Sequence, residues 1–267
     1  MEIISLIFLL LGAMFVRRKP SNNRAWSADQ KILPYTKFNG NKAHIYNIRN
    51  FKYKTEHDYK KQYYDKIFNL DDIKSAYYIL EPFRGYKGAA HTFLSFEFKN
   101  DEFIAISIEI RKKGGDKFSA IKGLFKGFEI MYVIGDERDL IGLRANHRKD
   151  KVYVYPINMS KEKIRNLFLD MLKRANKLKE KPEFYNTVSN TCLTNILKHT
   201  NNLSQKKIPY SLKILLPEKS DYLLHKFGFF KTKLSIEKAR EKFLINDLAK
   251  KYADDPDFSI KIRSKQT

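Results

Sequence analysis

The stretch HTFLSFEFKNDEFIAISIEIR, residues 91–111, decides the fold because it holds two alternating segments joined by a short polar connection. In 103–111 an isoleucine occupies every second position, and in 91–98 Leu94, Phe96 and Phe98 repeat the same spacing. This period of two is typical of a β-strand with one apolar face. The connection at 99–101 is too short for a crossover, so the stretch predicts an antiparallel strand pair.

The register of this pair follows from its two apolar faces. A slip of one residue would turn one strand over, so odd positions have to pair with odd positions. With a three-residue connection at 99–101, such pairing sets His91 across from Glu109 and Ser95 across from Ala105, and a shift by two leaves His91 and Glu109 diagonal but within reach. The sequence therefore predicts that a histidine and a carboxylate meet on one polar sheet face. With no nucleophile nearby, the same pattern would be more typical of a solvated face.

The rest of the chain supplies further strands and several helices. Ser160 is predicted to cap an amphipathic helix whose apolar stripe, from Ile164 to Leu178, belongs to the core. The predicted fold class is α+β, with a mainly antiparallel sheet packed on helices. Further strands are predicted over 42–51, 75–83, 128–134 and 151–157, and further helices over 56–67 and 235–252.

Cys192 is the only cysteine in the chain. Leu193, Ile196 and Leu197 follow it at the spacing of one helix face, and Asn190 is a favourable N-cap, so Cys192 is predicted to lie in a first helical turn. The free N–H groups and the dipole there favour a thiolate and an oxyanion. Position alone favours a small buried hydrophobe, and the rest of the chain is what favours a nucleophile. A single cysteine also excludes an intramolecular disulfide and thiolate zinc sites.

Cys192, His91 and Glu109 together supply a nucleophile, a base and a group to orient the base. His199 lies two helical turns beyond the cysteine, about 10 Å along the axis, which is too far for direct proton transfer. Zinc-protease and serine-hydrolase motifs are absent from the sequence, and the acidic cluster at 254–257 is more typical of a solvated loop than of a cation site. We therefore expect no metal and no cofactor.

Net charge and the amino terminus indicate the partners. The formal charge is +22, which suits nucleic acid or acidic lipid headgroups, but no nucleic-acid module accompanies it. Residues 3–16 form an uninterrupted apolar or small run followed by three basic residues. We interpret this run as an uncleaved membrane anchor, with a signal-peptide core as the alternative. Membrane lipids and a lipoprotein or peptide substrate are the expected partners, and the oligomeric state is left open.

Four segments are predicted along the chain. They are an N-terminal membrane or signal anchor (1–19), a polar linker with Trp26 as an interfacial anchor (20–31), a catalytic domain (32–203) and a C-terminal helical extension packing on that domain (204–267). The cluster Asp136, Glu137 and Arg138, with Arg144 six residues on, is interpreted as a structural ion-pair network, or otherwise as part of the active cleft.

Several stretches, taken in order, resemble the Lnb N-terminal periplasmic domain family. The resemblance covers roughly residues 26–202. The stretches are Asn47–Phe51, His91–Phe96, Ser107–Arg111, Asp136–Asp139 and Phe184–Thr187 running to Asn190-Thr191-Cys192.

The resemblance implies a circularly permuted relative of papain-like and NlpC/P60 folds, with histidine ahead of cysteine. It also implies a membrane-associated thiol acyltransferase: Cys192 would take an acyl group from a phospholipid and pass it to the N-terminal amine of a lipoprotein. His91 would be the base and Glu109 the orienting group. Candidate substrate-binding residues in these stretches are Tyr185, Asn190, Ser95 and Arg138.

The family also implies a periplasmic domain, whereas the basic flank of the apolar run favours a cytoplasmic one. We expect a periplasmic domain, because the positive-inside rule is a statistical tendency. Two other functions remain open at the level of sequence. One is a cysteine peptidase or amidase of the cell envelope. The other is a non-catalytic module whose basic surface docks on anionic lipid or a partner protein.

Overall fold

A computed structural model describes residues 18–203, 207–210, 214 and 216–265. The apolar run at 3–16, and with it the predicted anchor, lies outside these residues. None of the helices in the described part combines the length and the apolar character that a bilayer crossing requires.

One large sheet forms the centre of the described structure. The strands are β1 (Tyr35–Asn39), β2 (Lys42–Arg49), β3 (Lys52–Tyr53), β4 (Tyr59–Lys60), β5 (Tyr63–Asn69), β6 (Ile73–Pro82), β7 (Ala90–Phe98), β8 (Phe103–Arg111), β9 (Glu129–Gly135) and β10 (Tyr153–Pro156). The sheet order is β1-β2-β9-β8-β7-β6-β10, with β5 also on β2, and β3 and β4 form a separate pair. All pairs are antiparallel except the contact of β2 with β9. The predicted α+β class with a mainly antiparallel sheet is confirmed.

Helices cover both faces of this sheet. The α-helices of the described part are Ala120–Leu124, Glu137–Gly142, Lys161–Glu180, Cys192–Leu203, Ser220–Lys226, Ile236–Phe243, Asn246–Lys251 and Phe258–Lys261. Glu137–Gly142 continues as a π-helix, Leu143–Arg148, and 3-10 turns lie at Leu70–Asp72, Lys99–Asp101 and Pro217–Lys219. Ser160 caps the long helix as predicted, because its hydroxyl accepts from the Lys163 N–H.

The central strands, β6 to β9, are buried on both faces of the sheet. Leu94, Phe96 and Ile106 pack with the long helix in one core, whereas Phe93 and Ala105, one residue along each strand, pack in a second core. The second core includes residues of Glu137–Gly142 and of the C-terminal helices. The face that carries His91 and Glu109 is therefore not an open, solvated surface.

One predicted helix, 56–67, is wrong, and another, 235–252, is divided into two helices. Residues 56–67 form β4 and the start of β5, because β5 gains an antiparallel partner in β2, with Phe68 opposite Ala43. The predicted helix 235–252 is interrupted at Leu244 and Ile245. There Leu244 is extended, and the Ile245 N–H donates to the Val152 carbonyl at 3.0 Å. In both places pairing with distant backbone overrides the local helical pattern.

Residues 20–31 pack along β8. The Trp26 side chain is buried, with the Arg111 guanidinium 4.3 Å above its ring, and the Gln30 amide donates to the Ile110 carbonyl at 2.9 Å. The prediction that Trp26 is an interfacial anchor is therefore wrong. At the other end of the chain, Arg263 forms a buried ion pair with Glu137. The predicted boundaries at 32 and 203 stay predictions.

Candidate active site

The site lies where β7 and β8 separate. Their pairing runs from Glu97↔Phe103 through Ser95↔Ala105, as predicted, to Phe93↔Ser107. It stops there, although β7 continues to Ala90 and β8 to Arg111. His91 and Glu109 therefore lie on the same face of the sheet, as the odd-with-odd register predicted, but their backbones do not form a pair. The gap between the two strand ends is the base of a cleft.

Cys192 reaches this gap from the Cys192–Leu203 helix. Leu193, Ile196 and Leu197 bury one face of that helix in the core, as the sequence spacing predicted. The cap, however, is Thr191, whose hydroxyl accepts from the Thr194 N–H at 3.2 Å. Cys192 is therefore the first helical residue, and N–H groups of a first turn have no intrahelical acceptor. The site has a half-buried thiol beside backbone donors.

The hydrogen bonds of His91 define its protonation. Its Nε2 lies 2.6 Å from the Ser107 hydroxyl and 3.2 Å from the Glu109 carboxylate, and the Ser107 hydroxyl donates to Glu109 at 2.6 Å. Because a hydroxyl has one hydrogen, Ser107 has to accept from His91, which places a proton on Nε2. We infer that Nδ1 is the ring nitrogen that serves the Cys192 thiol.

Electrostatics favour a thiolate–imidazolium pair. Burial raises the pKa of Cys192, but hydrogen bonds from His91 and Thr92 outweigh it, and the net pKa lies below the ordinary thiol value. Burial lowers the pKa of His91, but the Glu109 charge and the contact with Cys192 raise it to about 9 overall. Burial also opposes ionisation of Glu109, yet His91 and Arg144 hold its pKa well below its usual value. The Cys192 thiolate and the His91 imidazolium therefore stabilise each other, and the Glu109 carboxylate also stabilises the imidazolium.

Arg144 binds the Glu109 carboxylate and connects it to a second carboxylate, that of Glu81. Its Nη2 lies 2.7 Å from Glu109, its Nε lies 2.6 Å from Glu81, and its guanidinium stacks 4.8 Å from the Phe93 ring. Glu81 is fully buried, and it lies opposite His91 in the antiparallel register of β6 and β7. Arg144 thus pairs with one buried and one partly buried carboxylate and fixes the orientation of Glu109.

The cleft has a volume of about 370 Å³. Cys192, His91 and Glu109 line it, together with three ion-paired arginines, Arg49, Arg144 and Arg148. Its apolar lining comes from Phe83, Ile108, Phe118, Leu143, Tyr185 and Pro217. A mixed lining of this kind suits a substrate that has both an apolar part and an anionic or carbonyl group.

Of the four candidate substrate-binding residues, only Tyr185 is brought to the cleft. Asn190 is used structurally, because its side chain donates to the Phe184 carbonyl and accepts from Asn195. Ser95 is buried against Glu137, four residues along the strand from His91. Arg138 is exposed and contacts the Pro256 carbonyl at 3.5 Å. These three residues do not line the cleft in the described structure.

The acidic and basic cluster after β9 divides into separate ion pairs. Glu137 binds Arg263, and Asp139 accepts from Arg49 Nε and Nη2 through its two carboxylate oxygens. Of the four residues in the predicted cluster, Glu137 and Arg144 form ion pairs, whereas Asp136 caps the following helix and Arg138 contacts a backbone carbonyl. The interpretation as a structural network therefore holds for Glu137 and Arg144, and Arg144 also lines the cleft, as the alternative had it.

Sequence reasoning assigned no role to Ser107, Glu81 or Thr92. Ser107 could have been identified from the sequence, because it lies two residues before Glu109 and therefore on the same strand face. Glu81 precedes the strand-ending Pro82, and its position opposite His91 depends on a strand pairing that the sequence alone did not predict. His199 is used elsewhere, between Tyr132 and Asp170. In the described residues, no group of three or more His, Cys, Asp or Glu side chains is placed to hold a metal ion.

Fold and site together define an α+β protein with a Cys–His–Glu cluster in a cleft at the end of an antiparallel sheet. The chain belongs to the Lnb N-terminal periplasmic domain family, whose sequence model matches residues 59–218, more than half of the chain. The match contains all three cluster residues; it begins after the stretch 47–51 and extends beyond 202. Searches among curated proteins and among solved structures gave no match.

Proposed function

We propose that the protein is a membrane-associated thiol acyltransferase that works through a thioester on Cys192. The observation that carries the proposal is the contact of the Cys192 thiol with His91, whose Nε2 is held by Ser107 and Glu109 in an open cleft. This arrangement meets the requirements for an activated thiol nucleophile: a base within reach and a third group that orients the base.

The proposed reaction has two steps. The Cys192 thiolate attacks an ester carbonyl of the donor, and first-turn N–H groups of the helix stabilise the oxyanion. The C–O bond then breaks, the departing alcohol takes the proton from the His91 imidazolium, and an S-acyl enzyme remains. In the second step an acceptor amine attacks the thioester, and His91 takes the amine proton as the thiolate departs. Attack by water instead of the amine would give hydrolysis.

The donor and acceptor are proposed from the family resemblance and the cleft. The donor is a phospholipid acyl ester, since the cleft combines apolar side chains with cationic ones. The acceptor is the N-terminal amine of a membrane lipoprotein. The family's description as a periplasmic domain supports a periplasmic location, and the apolar run at 3–16 would hold the protein at the membrane.

We also propose that the fold is a circularly permuted papain-like or NlpC/P60-like one. Support comes from a nucleophile at a helix N-terminus, packed against an antiparallel sheet that presents His91 and Glu109 on neighbouring strands. The order of histidine before cysteine fits a permutation.

Intact mass of the full-length protein after incubation with phospholipid vesicles tests the proposal. The wild type should gain one acyl chain that hydroxylamine removes, and Cys192→Ala should gain none. Cys192→Ser is the second control, because an oxygen ester would resist mild hydroxylamine. A reactive Cys192 without an adduct from any lipid would favour a peptidase or amidase acting on envelope peptides. A thiol inert to small probes would leave a non-catalytic binding module.

A further inference from the structure

Exposed apolar side chains concentrate at one side of the cleft mouth. In 118–125, the exposed fractions are 52% for Phe118, 69% for Ile121, 41% for Leu124 and 59% for Phe125. Four of the thirteen large apolar side chains that are exposed in the described structure belong to this segment. Val188 and Leu216 are also exposed, and each directly follows or precedes a cleft-lining residue, Thr187 and Pro217 respectively.

The segment is held in place as a ridge. The Thr187 hydroxyl donates to the Ala120 carbonyl at 2.8 Å, and Gly123 lies directly against Tyr185 and Thr187. Ser119 caps the helical turn Ala120–Leu124. Phe118 and Ala120 also line the cleft, so the ridge and the cleft share side chains. Its apolar side chains are therefore presented by a packed element next to the reacting groups.

Basic residues surround the apolar tip. Residues 112–126 contain five lysines against one acidic residue, Asp116, which lies 3.7 Å from Lys122. Lys117 and Lys122 are exposed beside Phe118 and Ile121. Apolar side chains that project between lysines are characteristic of surfaces that lie in a membrane interface and prefer anionic lipids.

We propose that this ridge, residues 112–126, docks on the surface of an anionic lipid bilayer, with Ile121 and its apolar neighbours inserted at the boundary of headgroups and acyl chains. The proposal deepens the proposed function and rests on it for the phospholipid donor, because docking would place the cleft mouth at the depth of the acyl esters. Each inserted large apolar side chain should strengthen binding roughly tenfold, and each lysine about fivefold.

The test uses a local reporter in the full-length chain, so that the apolar run at 3–16 does not decide the result. Ile121→Trp is compared with Ile67→Trp, which replaces an isoleucine of similar exposure on β5. The native Trp26 is buried, so the wild type gives the background signal. Vesicles contain phosphatidylglycerol and phosphatidylcholine with brominated acyl chains, which quench tryptophan at the acyl boundary.

Quenching at position 121 should exceed quenching at position 67 by about twofold or more, and should weaken in phosphatidylcholine alone. Equal quenching at both positions, or no quenching, would overturn docking of the ridge on lipid and would favour a protein as the partner that covers it. Quenching that is the same with and without phosphatidylglycerol would overturn the anionic specificity. Lys117→Glu should reduce quenching of the position-121 reporter, whereas Lys60→Glu, also an exposed lysine, should not.

The same reporters are measured in a Cys192→Ala background to separate the two proposals. Docking does not require the thiol, so quenching should persist there. Quenching without an acyl adduct in the wild type would reject the proposed function and keep the docking surface. An acyl adduct without quenching would support the proposed function and reject the docking surface.

Discussion

Replacing Glu109 by glutamine should uncouple the thiolate–imidazolium pair. The substitution preserves the size of the side chain and one hydrogen-bond acceptor, but it removes the charge that lies 3.2 Å from His91 Nε2. Arg144 keeps its partner Glu81. The change is therefore directed at the electrostatics of the site, with little effect on packing.

The magnitude follows from the separation of the charges. At 3.2 Å and an effective dielectric constant of about 20, the pair interaction is about 5 kcal/mol, or roughly four units of pKa. Burial opposes this interaction, and the net pKa of His91 is raised from 6.5 to about 9. Without the carboxylate, burial would dominate, and the pKa of His91 should fall to 6.5 or below. The pKa of the Cys192 thiol should then rise towards its ordinary value of 9.0.

Alkylation by iodoacetamide as a function of pH measures this change directly. Because Cys192 is the only cysteine, the whole signal comes from the site. We expect the midpoint of the Glu109→Gln profile to lie at least about one pH unit above that of the wild type, with roughly tenfold slower alkylation near pH 6.

Glu97→Gln is the matched control. Glu97 is a half-buried carboxylate on the same strand as His91, and it binds Ser75 and Tyr77 at the other end of that strand. Its removal should leave the alkylation profile unchanged. An unshifted midpoint in Glu109→Gln, with the fold intact by circular dichroism, would refute the assignment of Glu109 as the group that maintains the ion pair.

Three further predictions concern pH dependence, stability and the shape of the cleft. The rate of acyl-enzyme formation should rise with pH as the thiolate forms, at a pKa below the ordinary thiol value, and fall above about pH 9 as His91 loses its proton. Initial rates across pH check this, and a rate that keeps rising through alkaline pH would contradict it. Arg144→Met should lower the free energy of unfolding by about 3 kcal/mol, because buried Glu81 is left with the longer Arg148 contact at 3.5 Å and Glu109 with His91. Urea unfolding measures the loss, and a value below about 1 kcal/mol would argue that the pairs are solvated. Gly123→Ala should reduce turnover, because its new methyl group would lie 3.0 Å from the Tyr185 ring and displace the cleft lining. Gly114→Ala, which meets no neighbour within 4 Å, is the control, and equal turnover of the two variants would count against the ridge as part of the cleft.

The sequence by itself determined the strand pair and two of its consequences. Strict alternation in 91–111 required odd positions to pair with odd positions, and this requirement alone places His91 and Glu109 on one face. The spacing after Cys192 likewise determined which helix face is buried, and a capping residue expected just before it placed the thiol in the first turn, although that cap is Thr191 and not Asn190. Both are local periodicities, and local periodicity is the part of a fold that a single sequence encodes most directly.

Only the tertiary structure decided how the cluster is supported and which candidates reach it. The separation of β7 and β8 beyond Phe93 opens the cleft, and no sequence pattern marks where two paired strands part. Arg144 meets Glu81 and Glu109 because three distant segments converge. Ser95 has the same parity as His91, yet it is covered by Glu137. Parity defines a face, whereas what packs on that face depends on contacts between residues far apart in the chain.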